Sequence, residues 1–115
     1  MGNGRILVVD DDEYARENIK QVAEQIGCTI VGETSGGFEA VCLSHYLKPD
    51  VILMDLDPPA MNGLEATSFC LVPVIILTSL TLSEITGSLR EIGACACLTK
   101  PLTAQSLERA LAVAQ

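Results

Sequence analysis

The sequence predicts an α/β domain built on one parallel sheet with helices covering both of its faces. The first sign is that the apolar runs Ile6–Val9, Val51–Met54 and Val74–Leu77 are continuous. A half-buried strand would alternate, so these read as strands enclosed on both sides. The second sign is order, because stretches with helical spacing lie between the strands and the strand–helix pair recurs five times. Such alternation implies parallel strands joined by helical crossovers.

Length and charge narrow the choice further. At 115 residues and 49% apolar content the chain reads as a single globular domain, residues 1–115, with 1–4 as a disordered leader. No apolar run reaches the roughly 18 residues of a membrane span, and the N-terminus lacks the pattern of a signal peptide. A cytoplasmic location is expected. A net charge of −8 with only seven Lys and Arg excludes a direct nucleic-acid surface. Cys28, Cys42, Cys70, Cys95 and Cys97 are odd in number and lack CxxC spacing, so they read as buried, reduced thiols. If Cys95 and Cys97 share a strand, their side chains point the same way.

The elements follow in order. Ile6–Val9 is a strand ending in Asp10-Asp11-Asp12, and Tyr14, Ile19, Val22, Ala23 and Ile26 form a helical stripe stopped by Gly27. A short strand runs from Thr29 to near Thr34. Gly36, with Glu39 three positions on, opens a helix through Phe38, Ala40, Val41, Leu43 and Leu47, which Pro49 breaks. The third strand, from Val51, halts at Asp55, and Pro58-Pro59 turn the chain away from the sheet. Asn62-Gly-Leu-Glu65 has capping-box spacing, but Pro73 leaves its helix little room. The fourth strand ends at Thr78-Ser79. Thr81-Leu-Ser-Glu84 opens a helix weakened by Thr86, Gly87 and Ser88. A fifth strand, Cys95–Thr99, finishes at Lys100-Pro101, and Thr103 caps a last helix with Leu107, Ala110, Leu111 and Ala114 on one face.

Polar groups therefore gather at strand ends. Asp10 and Asp11 follow the first strand, Asp55 the third, Thr78 the fourth and Lys100 the fifth. In a parallel sheet all these ends share one edge, where ligands bind at the point of strand-order reversal. Alone, Asp55 would pass for a turn aspartate. If the first and third strands are neighbours, three carboxylates meet, and two of them ~4 Å apart repel by about 4 kcal/mol at an effective dielectric near 20. Either a proton or a cation must relieve this, and Mg²⁺ suits an all-oxygen site that keeps positions open for an anionic ligand. A carboxylate, a metal, a lysine and a hydroxyl around one point make a phosphoryl-transfer site with Asp55 as nucleophile.

These pieces resemble the receiver domain of bacterial two-component response regulators. Ile6-Leu-Val-Val-Asp-Asp11, Pro49–Asp55, Met61-Asn-Gly63, Pro73–Thr78 and Gly93-Ala94 leading to Leu98–Pro101 carry the likeness, in order, over residues 5 to 114. The resemblance implies a flavodoxin-like, doubly wound (βα)5 sandwich with strand order 2-1-3-4-5. It also implies that Asp55 accepts a phosphoryl group from the phosphohistidine of a kinase or phosphotransfer protein, the domain catalysing both transfer and hydrolysis itself. Asp11 and Asp55 would bind Mg²⁺, Asp10 would act through water, and the backbone carbonyl of Asp57 would add a ligand. Thr78 and Lys100 would contact the phosphoryl oxygens, and the Lys100-Pro101 bond would be cis. Signal output is expected through the face of the fourth helix, fifth strand and last helix, to an effector domain, an output protein or a second copy in a homodimer.

Two departures from the family pattern stand out. Alignment through Lys100-Pro101 puts Cys97 where the switch, coupled to Thr78, ordinarily carries an aromatic ring. The interval from Asn62 to Pro73 is also short by about one and a half helical turns. Asp12 reads as a helix N-terminal residue and His45 as a surface residue. Two other functions fit parts of the sequence. One is a receiver-like interaction module that works without phosphorylation. The other is a haloacid-dehalogenase-type phosphatase, suggested by Asp55-Leu-Asp57 but contradicted by the motif's place on the third strand.

Overall fold

The computed structural model of the chain describes residues 4–55, 67, 70–79 and 94–114. Strands β1 (Arg5–Val9), β2 (Thr29–Thr34), β3 (Val51–Asp55), β4 (Val74–Thr78) and β5 (Ala96–Thr99) form one parallel sheet in the order β2-β1-β3-β4-β5. Helices α1 (Glu13–Gln25), α2 (Gly37–Leu47) and α3 (Ala104–Ala114) accompany it. The helices expected over 62–72 and 81–92 lie outside the described residues apart from Thr67 and 70–72, as do residues 1–3.

The order explains the layering. From β1 the chain moves one way to β2, then returns past β1 to β3. Right-handed crossovers in opposite directions place their helices on opposite faces. Accordingly α1 and α3 cover one face, whose core is Ile6, Val8, Val51, Leu53, Ile75, Leu77 and Leu107. The α2 face holds Leu7, Val9, Ile52, Met54, Val74 and Ile76. Strand residues thus divide by parity, and every apolar position of β1, β3 and β4 is buried. Each such side chain contributes about 1.5–3 kcal/mol of burial.

Local chemistry sets the ends of the elements. Asp12 is the N-cap of α1, its carboxylate accepting the Tyr14 amide at 3.1 Å. Gly27, at φ 89°, ends α1: its amide donates to Glu24 O and that of Cys28 to Ala23 O, a Schellman closure. At α3, Thr103 Oγ1 accepts the Ser106 amide at 3.0 Å while Ser106 Oγ receives the Thr103 amide. Arg5 closes α2 from a distance, with Nη1 and Nη2 donating to Lys48 O and Leu47 O at 2.7 and 2.9 Å.

Several sequence expectations need correction. Tyr14 is 87% exposed, because it stands five positions before Ile19 and points well away from the Ile19–Ala23 stripe. Phe38, in the first turn of α2, is also exposed. Gly36 is the N-cap of α2, as its position suggested, while the Glu39 carboxylate accepts the Thr34 hydroxyl. Cys95 precedes β5 in a bend and packs with the α1/α3 core, whereas Cys97 packs with the α2 core. Of the cysteines only Cys28 is fully buried and Cys42 is exposed, with no disulfide. Burial pushes the thiols of Cys28, Cys70, Cys95 and Cys97 upward, which leaves them poor nucleophiles. No helix among the described residues is long and apolar enough to cross a membrane.

Candidate functional site

The sheet order reverses between β1 and β3, and their register decides what meets there. Val9 pairs with Met54, so one step beyond the last pair Asp10 stands beside Asp55. Asp55 pairs in turn with Leu77, which puts Thr78 just past it on β4. Lys100 follows β5, and its amide donates to Thr78 O at 2.8 Å. The Lys100–Pro101 peptide bond is cis.

Asp10, Asp11 and Asp55 each present a carboxylate oxygen, and these oxygens lie within 4.8 Å of one another. The side chains of Asp10 and Asp55 are 0% and 4% exposed, while Asp11 is open to solvent. Lys100 Nζ lies 2.8 Å from Asp55 Oδ1 and 4.0 Å from Asp10 Oδ2. Apart from the Lys100 ion pair, neither Asp10 Oδ2 nor Asp55 Oδ1 has a hydrogen-bond donor among the described residues. Burial pushes the Asp55 carboxyl up to about 7; the Asp10 carboxylate adds to the rise and the Lys100 ammonium opposes it. Two buried, acceptor-only oxygens beside a third carboxylate fit a hard cation. The residues present therefore suit Mg²⁺.

The surrounding hydrogen bonds hold Asp10 rigidly. Its amide donates to Thr34 O at 3.1 Å, and its Oδ1 accepts the Asp12 amide at 2.9 Å. Its carbonyl accepts Arg16 Nη1 at 2.7 Å, and Arg16 Nε is 2.9 Å from Glu33 Oε1. Lys20 Nζ reaches Glu33 Oε2 at 2.6 Å.

Of the residues singled out in the sequence, Asp10, Asp11, Asp55, Thr78 and Lys100 converge on one edge. Asp57 lies outside the described residues. Cys97 is half-buried two positions before Thr99, the partner of Thr78 in the β4–β5 register. His45 is exposed on α2. Arg16 and Glu33 were not legible beforehand, since neither belongs to a motif and their meeting depends on how α1 lies over β2.

Comparison with known proteins bears on the family and the fold. Residues 6–112 match the model of the response regulator receiver domain. The chain is 32% identical over 114 residues to the transcriptional regulatory protein PdtaR of Mycobacterium tuberculosis, covering 96% of this chain and 56% of that protein. It is 38% identical over 108 residues to the transcriptional regulatory protein YdfI of Bacillus subtilis, covering 90% and 51%. The chain thus spans about half the length of these relatives. Among solved structures, the response regulator domain of Thermotoga maritima CheB superposes with a TM-score of 0.81 at 33% identity, covering 96% of each chain. A LuxR-family response regulator from Aurantimonas superposes at 0.85 and 29%, covering 96% and 83%.

Proposed function

Because the chain belongs to the response regulator receiver domain family, we propose that it is a phosphorylation-dependent switch in two-component signalling, with Asp55 as phosphoacceptor. The observation that carries this is the pair of buried carboxylates, Asp10 and Asp55, that meet a third carboxylate and the Lys100 ammonium at the strand-order reversal. In the transfer, an Asp55 carboxylate oxygen attacks the phosphorus of a partner's phosphohistidine. The new P–O bond forms as the P–N bond breaks, and the nitrogen keeps the electron pair and takes a proton from solvent. Lys100, 2.8 Å from Asp55, would turn onto a phosphoryl oxygen as charge arrives there. The Thr78 hydroxyl, at the end of β4, serves as a donor to a second oxygen. Asp11 and Asp55 would hold Mg²⁺, with Asp10 through water and the Asp57 carbonyl as further supports. When bound, the ion supplies the positive charge that lets two anions approach. Output to an effector or partner is assigned to the face containing β5 and α3, with Cys97 in the position ordinarily given to a ring.

Incubation with Mg²⁺ and acetyl phosphate, followed by intact-mass measurement, tests the reading. A single phosphoryl adduct is expected, abolished in Asp55→Ala. A wild-type chain with neither adduct nor Mg²⁺ binding would overturn it, and multiple turnover of a phosphomonoester would point to a phosphatase.

A further inference from the structure

We infer that Arg16 is a positioning residue for the acidic site: it braces the peptide between Asp10 and Asp11 so that the carboxylates are set for a cation before one arrives. The inference rests on the Mg²⁺ reading above and concerns how this chain builds that site. Asp10 has four polar attachment points. Thr34 O takes its amide, the Asp12 amide occupies Oδ1, and Arg16 Nη1 takes its carbonyl at 2.7 Å. Among the described residues Oδ2 has no hydrogen-bond donor and faces the Lys100 ammonium at 4.0 Å.

The Arg16 bond is the one that controls Asp11. A peptide unit is planar, so the direction of the Asp10 carbonyl fixes the plane from which Asp11 departs. Asp11 is solvent-exposed, and no hydrogen bond of its side chain is found among the described residues. Its aim therefore depends on its backbone.

Arg16 can act as a brace because it is itself held. Its side chain is 18% exposed, and Nε is anchored on Glu33 of β2, which Lys20 grips from the next turn of α1. A planar guanidinium can reach a carbonyl and a carboxylate at once with fixed geometry, which an ammonium cannot. The brace thus ties three elements to one peptide: the end of β1, the second turn of α1, and β2. Groups that orient metal ligands from behind typically change metal affinity 10–100-fold when removed.

The test is Mg²⁺ titration of the unphosphorylated chain by calorimetry and by the amide shifts of Asp11 and Asp12, with urea unfolding of each metal-free variant alongside. Arg16→Met keeps the aliphatic stem and is expected to raise the Mg²⁺ Kd by about tenfold. Arg16→Lys keeps the charge but not the fork, and should recover less than half of that loss on a logarithmic scale. Glu33→Gln, which loosens the anchor alone, should weaken binding by a smaller factor, about twofold to threefold. Equal Kd values for wild type and Arg16→Met would overturn the inference. So would full recovery by Arg16→Lys, which would reduce the role to charge at a distance. Should Arg16→Met fail to fold, Arg16→Lys is compared with wild type directly: a raised Kd supports the inference, and a Kd equal to wild type overturns it. A wild-type chain that binds no Mg²⁺ would instead refute the parent reading.

Discussion

Asp55 sits among more negative charge than its neighbours neutralise. Lys100 offers one positive charge to three carboxylates, and the Asp55 carboxyl is raised to about 7 by burial and by Asp10. For stability the sign is unfavourable. Between the unfolded value near 4 and the folded one, the native state binds more protons than the unfolded chain, so stability falls as pH rises through that window. Asp55→Asn should therefore stabilise the metal-free protein at pH 7, by about 1–2 kcal/mol, as active-site neutralisation often does. The gain should fade as pH drops toward 4, and urea midpoints across that range check it. Lys100→Met acts on the opposite partner. The role proposed for its ammonium predicts that phosphorylation from acetyl phosphate slows by about 100-fold while Mg²⁺ binding stays within about threefold. Asp10, Asp11, Asp55, Thr78 and Lys100 were readable because each stands at the end of a strand-like apolar run; what remained hidden was the second set, Arg16 and Glu33, which no run announces.

Among the elements, the strands were the most legible and the helix faces the least. A buried parallel strand needs only an unbroken apolar run, and β1, β3 and β4 have one. A helix face depends on an angle that accumulates 100° per residue, so Tyr14 and Phe38 could look like members of a stripe and still face water. Strand parity failed in the same way at Cys95, which a bend removes from β5 before the alternation begins. Where an element is closed by a remote side chain, sequence spacing gives no notice at all. Arg5 caps α2 across more than forty positions, and Arg5→Ala should cost about 1 kcal/mol by freeing the last carbonyls of α2. Thermal or urea unfolding would show it as an uncoupled loss, with Mg²⁺ affinity unchanged. The α1–β2 contact is pH-dependent. Lys20 first, then Arg16, hold the Glu33 carboxyl below its usual range. Its contribution is fully present above the unfolded value of about 4.3 and vanishes as pH falls through the lowered folded one. The difference between wild type and Glu33→Gln should stay below about 1 kcal/mol at pH 7, since the carboxylate is open to solvent, and disappear near pH 3.

At the scale of the whole molecule, a net charge of −8 and an acidic cluster at one edge make the fold sensitive to cations. A divalent ion bound only by the native state stabilises by mass action, about 1.4 kcal/mol at ten times its Kd. For a domain of this size that is a rise in Tm of about 4–6 °C. Mg²⁺ should produce it, NaCl at equal ionic strength should give a smaller rise, and Asp11→Asn should suppress the difference. The strand order could not be read from composition or spacing; it followed from the family likeness, whereas parallel strands with helices on both faces followed from the residues themselves. That order has a consequence for a chain emerging from the ribosome. Asp10, Asp55 and Lys100 are separated by 45 residues at each step, and the sheet brings them together only after β1 has accepted β3 as a neighbour and β5 has joined at the edge. No half-made chain can imitate the finished pocket. A nascent or misfolded copy therefore lacks both the three-carboxylate cluster and the lysine beside it, and the pocket exists only in the completed sheet.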